Sequence, residues 1–555
     1  MPHSTAQIMS QCASGVIFAA WLAAGAPPSA RANVITDWDE KAIAVVFPTG
    51  PVAVSQQVYT SQRMMGMVHV AMFDAVNSIE RRYRPYLVQL PADPATSKEA
   101  AAAAAAATVL ATVDETTAGE MKVALAAYLA SIPDGAAKAD GIKLGEAVAA
   151  KILEARANDG HDAIDDYRPR TAPGVYVPTP ITAASKWGDV KPFVMATTSQ
   201  FRPGPPVSLE STEWATDYNE IKEYGGKTSA KRSPQQTETA RFWLMVGPPA
   251  YHPFVRQLVT AKQMSVGDSA RLMALAAVGL NEALIAVFDA KYHYNFWRPI
   301  TAIRNGDIDN NPATDREATW QPIDNTPMHP EYPCAHCIVS GSVSGVIKAV
   351  LGTEDIPEIA ITSRAAPGVT HRFTNLTGFT EEVANARIWA GFHYRFSTRV
   401  GTDMGRQIGE YVVKKRHAAS SYGRAAAAAA AGRGSCCTIT NVSSDWPASR
   451  AYSAACIRGD GSRSICSSWS ASAAYWSAMC SNKARVSARV TSRAAQRQPT
   501  SLERRIWTRV DMVRMVSAEL CAEKHLGARM VPAGRGPMTT RGPSAWGLRA
   551  MSPPP

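Results

Sequence analysis

Hydrophobic residues recur with helical periodicity along most of the chain, and this pattern narrows the possible folds more than any other feature. In SQRMMGMVHVAMFDAVNSIE (61–80), apolar side chains fall at i, i+3 and i+4, the spacing of one buried helix face. The runs 99–112 and 137–159 consist largely of strong helix formers. Further amphipathic runs follow at 211–224, 234–245, 267–294, 335–351 and 380–396. Because alternating strand patterns are scarce, the sequence predicts an all-α helical bundle.

A long irregular segment interrupts the helical pattern. Residues 167–195, YRPRTAPGVYVPTPITAASKWGDVKPFVM, are rich in Pro and Gly, which break helices and favour turns. We expect a long ordered loop here. The helical domain that contains this loop is predicted to span residues 33–417.

The composition changes abruptly after residue 417. From Arg416 to Pro555 there are 20 Lys and Arg residues against 6 Asp and Glu, whereas the preceding 415 residues carry 38 and 41. A Ser-, Ala- and Arg-rich segment of this kind lacks the apolar surface needed to offset chain entropy. We therefore predict that 418–555 is a low-complexity basic tail, disordered or translated out of frame; a basic interaction tail is the alternative. The basic pI belongs to this tail, so it does not indicate that the helical body binds nucleic acid.

The first 32 residues have the pattern of a secretory signal peptide. The stretch GVIFAAWLAAGA (15–26) is apolar but too short to span a bilayer, and SARA gives an A-x-A cleavage site ending at Ala32. The region before it has His3 but no Lys or Arg, so an uncleaved, disordered start is the alternative. No later stretch reaches the roughly 18 uninterrupted apolar residues of a typical span. We expect an exported protein, periplasmic or secreted, with no stable membrane span.

The helical body contains a CxxC pair with a histidine inside it, in EYPCAHCIVSG. A thioredoxin-type dithiol needs a strand before it, whereas helical patterns surround Cys334 and Cys337. Zinc bound by both thiols and His336 would need a fourth ligand from elsewhere. Pro333 followed by an apolar run instead indicates a helix start. Its free N–H groups, near Ala335, could bind an anion.

Two other segments combine cations with apolar neighbours. In KYHYNFWRP, Lys291 and Arg298 are seven residues apart, so on a continuous helix they would share a face about 10 Å apart along the axis. ARIWAGFHYRFS is typical of an apolar helix and carries Arg387 and His393. A lone His or Arg in a helix is usually structural, but the apolar surroundings here favour a buried anion site over a solvated basic face.

These three segments together resemble the signature of vanadium-dependent haloperoxidases and type-2 phosphatidic acid phosphatases. That signature is Lys, six residues, Arg-Pro; then Pro-Ser-Gly-His; then Ser-Arg, five residues, His, three residues, Asp. In this chain the blocks are Lys291 to Arg298-Pro299, then Pro333-Cys334-Ala335-His336, then Ala386-Arg387, His393 and Ser397. All five basic positions of the signature, one Lys, two Arg and two His, match. The flanking stretches MVHVAMFDAVNSI, WGDVKPFVM and QTETARFW are similar to the exported bacterial haloperoxidase-like branch and extend the resemblance to about 33–417.

The resemblance implies a helical bundle of the haloperoxidase and acid phosphatase type that binds a tetrahedral oxyanion. Lys291, Arg298, Arg387, the side chain of Cys334 and the amides near Ala335 would surround vanadate as the cofactor. Arginine suits such a site because it makes paired hydrogen bonds to oxyanions.

The resemblance also implies roles for the two histidines. His393 would bond to vanadium in a peroxidase or attack phosphorus in a phosphatase, and His336 would act as the acid–base residue. The implied reaction is oxidation of halide by hydrogen peroxide. The main alternative is an exported acid phosphatase that hydrolyses phosphate esters in the same pocket, and a third is an inactive oxyanion-binding or structural relic. The sequence does not fix an oligomeric state.

Three positions qualify these expectations. Cys334 replaces a serine, and a thiol is a poorer hydrogen-bond donor than a hydroxyl. Ser397 replaces the aspartate that orients the axial histidine, which should weaken His393 as a nucleophile and tell against strong phosphatase activity. His329 stands where the bromoperoxidases of this superfamily tend to carry His, which favours bromide or iodide over chloride; a surface-loop histidine is the alternative.

Overall fold

The computed structural model describes residues 33–48, 54–178 and 182–416, together with two short strands, 455–457 and 463–465. The chain divides into two compact units, Met1–Arg433 and Gly434–Pro555. The predicted signal peptide, 1–32, and nearly all of the predicted tail, 418–555, lie outside the described residues. Those two predictions therefore stay predictions.

The described part of the first unit is mostly helical, which confirms the predicted fold class. Its α-helices are α1 (Val34–Val46), α2 (Val54–Glu80), α3 (Lys98–Leu110), α4 (Glu115–Leu129), α5 (Ala136–Arg156), α6 (Thr212–Gly225), α7 (Pro234–Phe242), α8 (Pro248–Ala261), α9 (Val266–Tyr294), α10 (Pro299–Arg304), α11 (Ala335–Leu351), α12 (Leu376–Trp389) and α13 (Arg395–Arg416). Two short 3-10 turns, Trp187–Asp189 and Gly306–Ile308, complete the helical elements. The predicted loop at 167–195 is irregular apart from the first of these turns.

A β-hairpin is the main addition to the predicted all-α architecture. Strands β1 (Asp355–Ser363) and β2 (Ala366–Asn375) pair antiparallel, with Ala360 opposite Arg372 and register shifts near both ends. The hairpin joins α11 to α12. In the second unit, β3 (Ala455–Ile457) pairs antiparallel with β4 (Arg463–Ile465).

Helix α9 forms the centre of the domain. The hydroxyl of Ser265 caps its first turn by accepting a hydrogen bond from the Asp268 N–H, and Asn295 ends the helix in the left-handed conformation at φ 51°. It is long and apolar enough to cross a membrane, but 94% of its most apolar window is buried inside the protein. That burial is the property of a core helix.

The predicted helix 380–396 is wrong in one respect, because the chain breaks it into α12 and α13. The break contains Gly391, whose φ of +79° suits glycine. A Cβ on Gly391 would also lie 2.5 Å from the carbonyl oxygen of Gly225, so α6 passes too close for any side chain. His393 consequently lies in the connection between the two helices and not on a helix.

Close packing of α11 against α13 depends on glycines. A Cβ at Gly405 would lie 2.1 Å from the Ile338 carbonyl oxygen and 2.8 Å from the Ser342 N–H nitrogen. Real Cβ atoms do not approach backbone so closely, so the two helix backbones can touch only where glycine stands. This contact sets the separation between the start of α11 and the start of α13.

We predict that Gly405→Ala lowers the free energy of unfolding by about 1–3 kcal/mol or more, because the new methyl group must push two helix backbones apart. Gly119→Ala is the matched control. Position 119 lies within α4, where an added Cβ meets nothing within 4 Å. That substitution should stabilise the protein by about 0.5–1 kcal/mol. Urea denaturation of both variants measures the difference, and equal effects would contradict the packing argument.

Candidate active site

The cations Lys291 and Arg298 reach one buried loop from separate elements. The condition for a shared helix face is not met, because α9 ends at Tyr294 and Arg298 is the extended N-cap residue of α10. They nevertheless converge. The Lys291 Nζ donates to the Glu331 carbonyl at 2.7 Å, and the Arg298 Nε donates to the His329 carbonyl at 2.8 Å.

The helix start predicted at the CxxC motif is confirmed. Cys334 is the N-cap of α11, its Sγ accepts from the Cys337 N–H at 3.3 Å, and Ala335 is the first helical residue. Both thiols are free and buried. Burial opposes ionisation of Cys334, but a hydrogen bond from the Cys337 thiol and the nearby Arg387 guanidinium lower its pKa. In the described chain a loop precedes this pair, so the strand that a thioredoxin-type dithiol needs is not there.

Three cationic side chains are buried in this region without a carboxylate partner. Lys291, Arg298 and Arg387 are 0%, 1% and 2% exposed. Within the described residues, their hydrogen bonds go to backbone carbonyls and histidine rings, and none of them lies within 4.0 Å of a carboxylate oxygen. Burial lowers the pKa of Lys291 well below its ordinary value and that of Arg298 to about 10.

Arg387 has an unused donor. Its Nη1 donates to the Trp243 carbonyl at 2.8 Å, and its guanidinium lies over the Phe392 ring, 4.7 Å from the ring centre. The Nε atom is buried and has no hydrogen-bond partner. A buried donor left unpaired is costly, and an anion would satisfy it.

The tautomer of His393 follows from its two neighbours. The Arg298 Nη1 lies 3.2 Å from the His393 Nε2, and because a guanidinium can only donate, Nε2 must be the acceptor. The Nδ1 therefore carries the proton and donates to the Glu331 Oε1 at 2.8 Å. Burial first, then the charge of Arg298, lowers the pKa of His393 well below its usual value. The neutral ring thus keeps a lone pair on Nε2, beside the cations.

Sequence reasoning missed Glu331. This residue is fully buried, and its Oε1 also accepts from the Tyr394 N–H at 3.1 Å. Burial raises its pKa to about 8, while Lys291 and Arg298 oppose that rise. Oε1 can accept in either ionisation state. The only sequence signal was an acidic residue directly before Tyr-Pro-Cys-Ala-His, in a segment that is otherwise apolar.

Ser397, which stands where the family has aspartate, lies close to Glu331. The Ser397 hydroxyl helps to lower the pKa of the Glu331 carboxyl. Both Ser397 Oγ and Glu331 Oε2 are buried without a partner within hydrogen-bonding distance. His393 therefore has a carboxyl partner although Ser397 provides none, because Glu331 from another segment contacts the ring.

The other two histidines are also fixed by contacts. The His336 Nε2 donates to the Met245 carbonyl at 3.1 Å, which leaves Nδ1 as the acceptor of the neutral ring. Burial and then Arg387 lower its pKa well below normal. The reading of His329 as a surface residue is wrong: it is 8% exposed, and its Nδ1 accepts from the Arg298 Nη2 at 2.9 Å.

A cavity of about 810 Å³ opens onto this cluster. Ala335, His336, Arg387, His329 and His393 all line its wall. The remaining lining is mainly apolar and includes Tyr59, Leu244, Val246, Tyr251, Leu284, Phe288, Met328, Val339 and Phe392. The structure thus brings the histidines and Arg387 to a single cavity wall, with Lys291 and Arg298 bound to the loop behind it.

A second buried polar cluster was not predicted. Atoms of Asp39, His69 and His252 that could bind a metal lie within 4.8 Å of one another. The Asp39 Oδ1 accepts from both rings, at 2.9 and 2.7 Å, and Arg256 donates to its Oδ2 at 2.8 Å. Because these contacts already satisfy and neutralise the carboxylate, the cluster is explained as a polar contact that joins α1, α2 and α8.

Comparison with known proteins finds sequence similarity to a vanadium chloroperoxidase in part of the chain. A family model described as the VCPO second helical-bundle domain matches residues 271–421. Vanadium chloroperoxidase of Curvularia inaequalis is 30% identical over 146 residues, which cover 22% of this chain and 23% of that protein. The match thus spans about a quarter of the curated relative's length.

Solved structures show the same fold over most of the chain. The first bacterial vanadium-dependent iodoperoxidase superposes with a TM-score of 0.58 at 22% identity, covering 69% of this chain and 95% of that one. A bacterial vanadium-dependent chloroperoxidase in its apo form gives 0.54 at 17% identity, covering 66% and 95%. The sequence matches and the shared fold support the resemblance: residues 271–421 are similar to the VCPO second helical-bundle domain, and the chain has the fold of bacterial vanadium-dependent haloperoxidases.

Proposed function

We propose that this protein is a vanadate-dependent haloperoxidase that uses hydrogen peroxide to oxidise halide. The observation that carries the proposal is the burial of Lys291, Arg298 and Arg387 without carboxylate partners around the lone pair of His393 Nε2. Buried charges are normally paired, so this arrangement is built for a bound anion. The related proteins named above are haloperoxidases that depend on vanadium, which is carried as an oxyanion.

The residues present fit vanadate. Lys291, Arg298 and Arg387 would bind its oxygens, Arg387 Nε supplies an unpaired donor, and the amide at Ala335 lies at the N-terminus of α11, where the helix dipole favours negative charge. His393 Nε2 would bind the vanadium. Vanadate bound there would act as a Lewis acid that activates hydrogen peroxide towards halide.

His336 is the proposed acid–base residue. Its ring lines the cavity, and the hydrogen bond to the Met245 carbonyl holds it in the tautomer with a free Nδ1 lone pair. Since burial keeps the ring neutral, it can accept a proton at Nδ1 and return it. The thiol of Cys334 is a weaker donor to an oxyanion than a hydroxyl, so the backbone amides and cations carry most of the binding.

Bromide or iodide is the proposed halide. His329 supports this because it is buried on the cavity wall and hydrogen-bonded to Arg298. Its ring also packs edge-to-face on Phe288, 5.2 Å between ring centres. We further propose export to the periplasm or the medium, on the strength of the signal-peptide pattern in 1–32.

An acid phosphatase that uses the same pocket is the second candidate. The missing aspartate at Ser397 spoke against it, but Glu331 accepts a hydrogen bond from His393 Nδ1–H. The Nε2 atom therefore keeps its lone pair, which would attack phosphorus once the hydrogen bond from Arg298 is given up to the substrate. The carboxyl contact therefore supports both reactions equally.

We predict that the purified chain loaded with orthovanadate brominates a phenolic dye when hydrogen peroxide and bromide are added. The metal-free protein is assayed in parallel on a chromogenic phosphate ester. Bromination that requires vanadate supports the peroxidase. Vanadate-inhibited ester hydrolysis without bromination indicates the phosphatase. If neither reaction occurs but phosphate raises the melting temperature, the pocket is an oxyanion-binding relic, since a ligand stabilises only the state that binds it.

We expect His393→Ala to reduce the observed activity by more than about 100-fold, because even residues that only support a metal ligand commonly contribute 10- to 100-fold. His293→Ala is the matched control. His293 is exposed at the end of α9 and packs only on Tyr294 among aromatic rings, so its loss should leave the rate unchanged. Steady-state rates of both variants decide the question. Survival of activity in His393→Ala would overturn the assignment of the site.

A further inference from the structure

We propose that Glu331 positions His393, so that a carboxyl group from the loop before α11 performs the role that the family resemblance assigns to an aspartate at position 397. The inference rests on the proposed function, because it concerns the nitrogen that would bind vanadium or attack phosphorus. Its starting observation is that Glu331 Oε1 accepts from His393 Nδ1–H at 2.8 Å inside a fully buried pair.

The contact is specific to the reacting ring. Oε1 accepts from both the His393 ring and the Tyr394 N–H, so the carboxyl group fixes both the ring and the adjacent backbone. The backbone of Glu331 has separate duties: its N–H donates to the Phe296 carbonyl, and its carbonyl accepts from Lys291. Replacing the side chain therefore leaves the backbone anchors in place.

Loss of the carboxyl group has a definite chemical consequence. A neutral imidazole has one N–H, and among the described residues Glu331 is the group that accepts a hydrogen bond from this proton on Nδ1 of His393, while Arg298 favours the same tautomer by donating to Nε2. Without this acceptor the tautomer with Nε2–H becomes accessible, and it has no lone pair directed at the cations. It also sets an N–H against the Arg298 Nη1–H at the 3.2 Å contact. Glu331 thus keeps the correct nitrogen unprotonated.

The serine at position 397 is consistent with a carboxyl group supplied from position 331. It is fully buried next to Glu331, and its short side chain leaves room for that carboxyl group. An aspartate at 397 beside Glu331 would place two carboxyl groups in one low-dielectric space, where like charges repel. A single carboxyl group is expected at this place, and the chain provides it from position 331 in place of 397.

The test compares Glu331→Ala, Glu331→Gln and the double variant Glu331→Ala/Ser397→Asp in the full chain. We expect Glu331→Ala to weaken orthovanadate binding, the turnover number or both by 10- to 100-fold, which is the usual effect of losing the partner of a metal-ligating histidine. Glu331→Gln, which keeps an acceptor oxygen, should lose less. In the double variant, whichever of orthovanadate affinity and turnover number Glu331→Ala has lowered should rise again by at least about tenfold, because the new aspartate restores a carboxyl acceptor.

A ligand-free readout separates this inference from the proposed function. Long-range ¹H–¹⁵N correlation spectra of histidine-labelled protein report which ring nitrogen of His393 is protonated. In the wild type His393 should be the Nδ1–H tautomer. In Glu331→Ala the population should shift towards the Nε2–H tautomer, and in the double variant it should shift back towards Nδ1–H. This holds even if the wild type neither halogenates nor hydrolyses phosphate esters, the result that would defeat the proposed function alone.

A matched control addresses general destabilisation. Glu282 is an equally buried carboxyl group that accepts backbone N–H groups of Phe193, Val194 and Met195, away from the site. Glu282→Gln should lower the melting temperature without changing orthovanadate affinity. The inference is overturned if Glu331→Ala retains the wild-type His393 tautomer and orthovanadate affinity. It is also overturned if the loss of affinity only follows the fall in melting temperature and Ser397→Asp does not restore the affinity.

Discussion

The burial of three cations, with no carboxylate of the described residues within ion-pairing distance, is the constraint on which this structure depends. Removing one such charge from water costs several kcal/mol unless other groups compensate. Here backbone carbonyls of Trp243, His329, Pro330 and Glu331 provide part of that compensation through hydrogen bonds. Carbonyl dipoles alone do not neutralise three positive charges. The remaining imbalance is the physical basis of the proposed oxyanion site, because an anion would be attracted there and a cation repelled.

The packing of α11 against α13 holds the groups around these buried cations in place. Glycines on α11 and α13 let the two backbones meet, and a Cβ at Gly401 would lie 2.7 Å from the Cys334 carbonyl oxygen. The start of α11, with its free amides, is thereby held against the first turns of α13, directly after His393. Rigid elements on both sides fix the separation between the amides at the start of α11 and the His393 ring, which a site on loops alone would not.

The sequence predicted the helical class, the start of α11 and the group of residues that meet, but not how they meet. Hydrophobic periodicity located α9 and α11 because buried faces repeat along one helix. It could not show that α9 stops before Arg298, since Asn295 alone ends the helix in a left-handed conformation. It joined α12 to α13 because Phe392 and Tyr394 continue an apolar pattern across the break. The β-hairpin was not predicted because buried and exposed residues alternate only weakly along its two strands.

Glu331 shows the deeper reason for the incomplete prediction. A motif records residues at fixed spacings, and by that measure Ser397 looked like a loss. The chemistry requires only that a carboxyl oxygen lie near 2.8 Å from His393 Nδ1, and a chain can supply it from any segment that passes there. The loop before α11 passes there because Lys291 and Arg298 bind its carbonyls. Lys291 and Arg298 therefore hold the loop that brings this carboxyl group to His393, which links the position of the two cations to the tautomer of that ring.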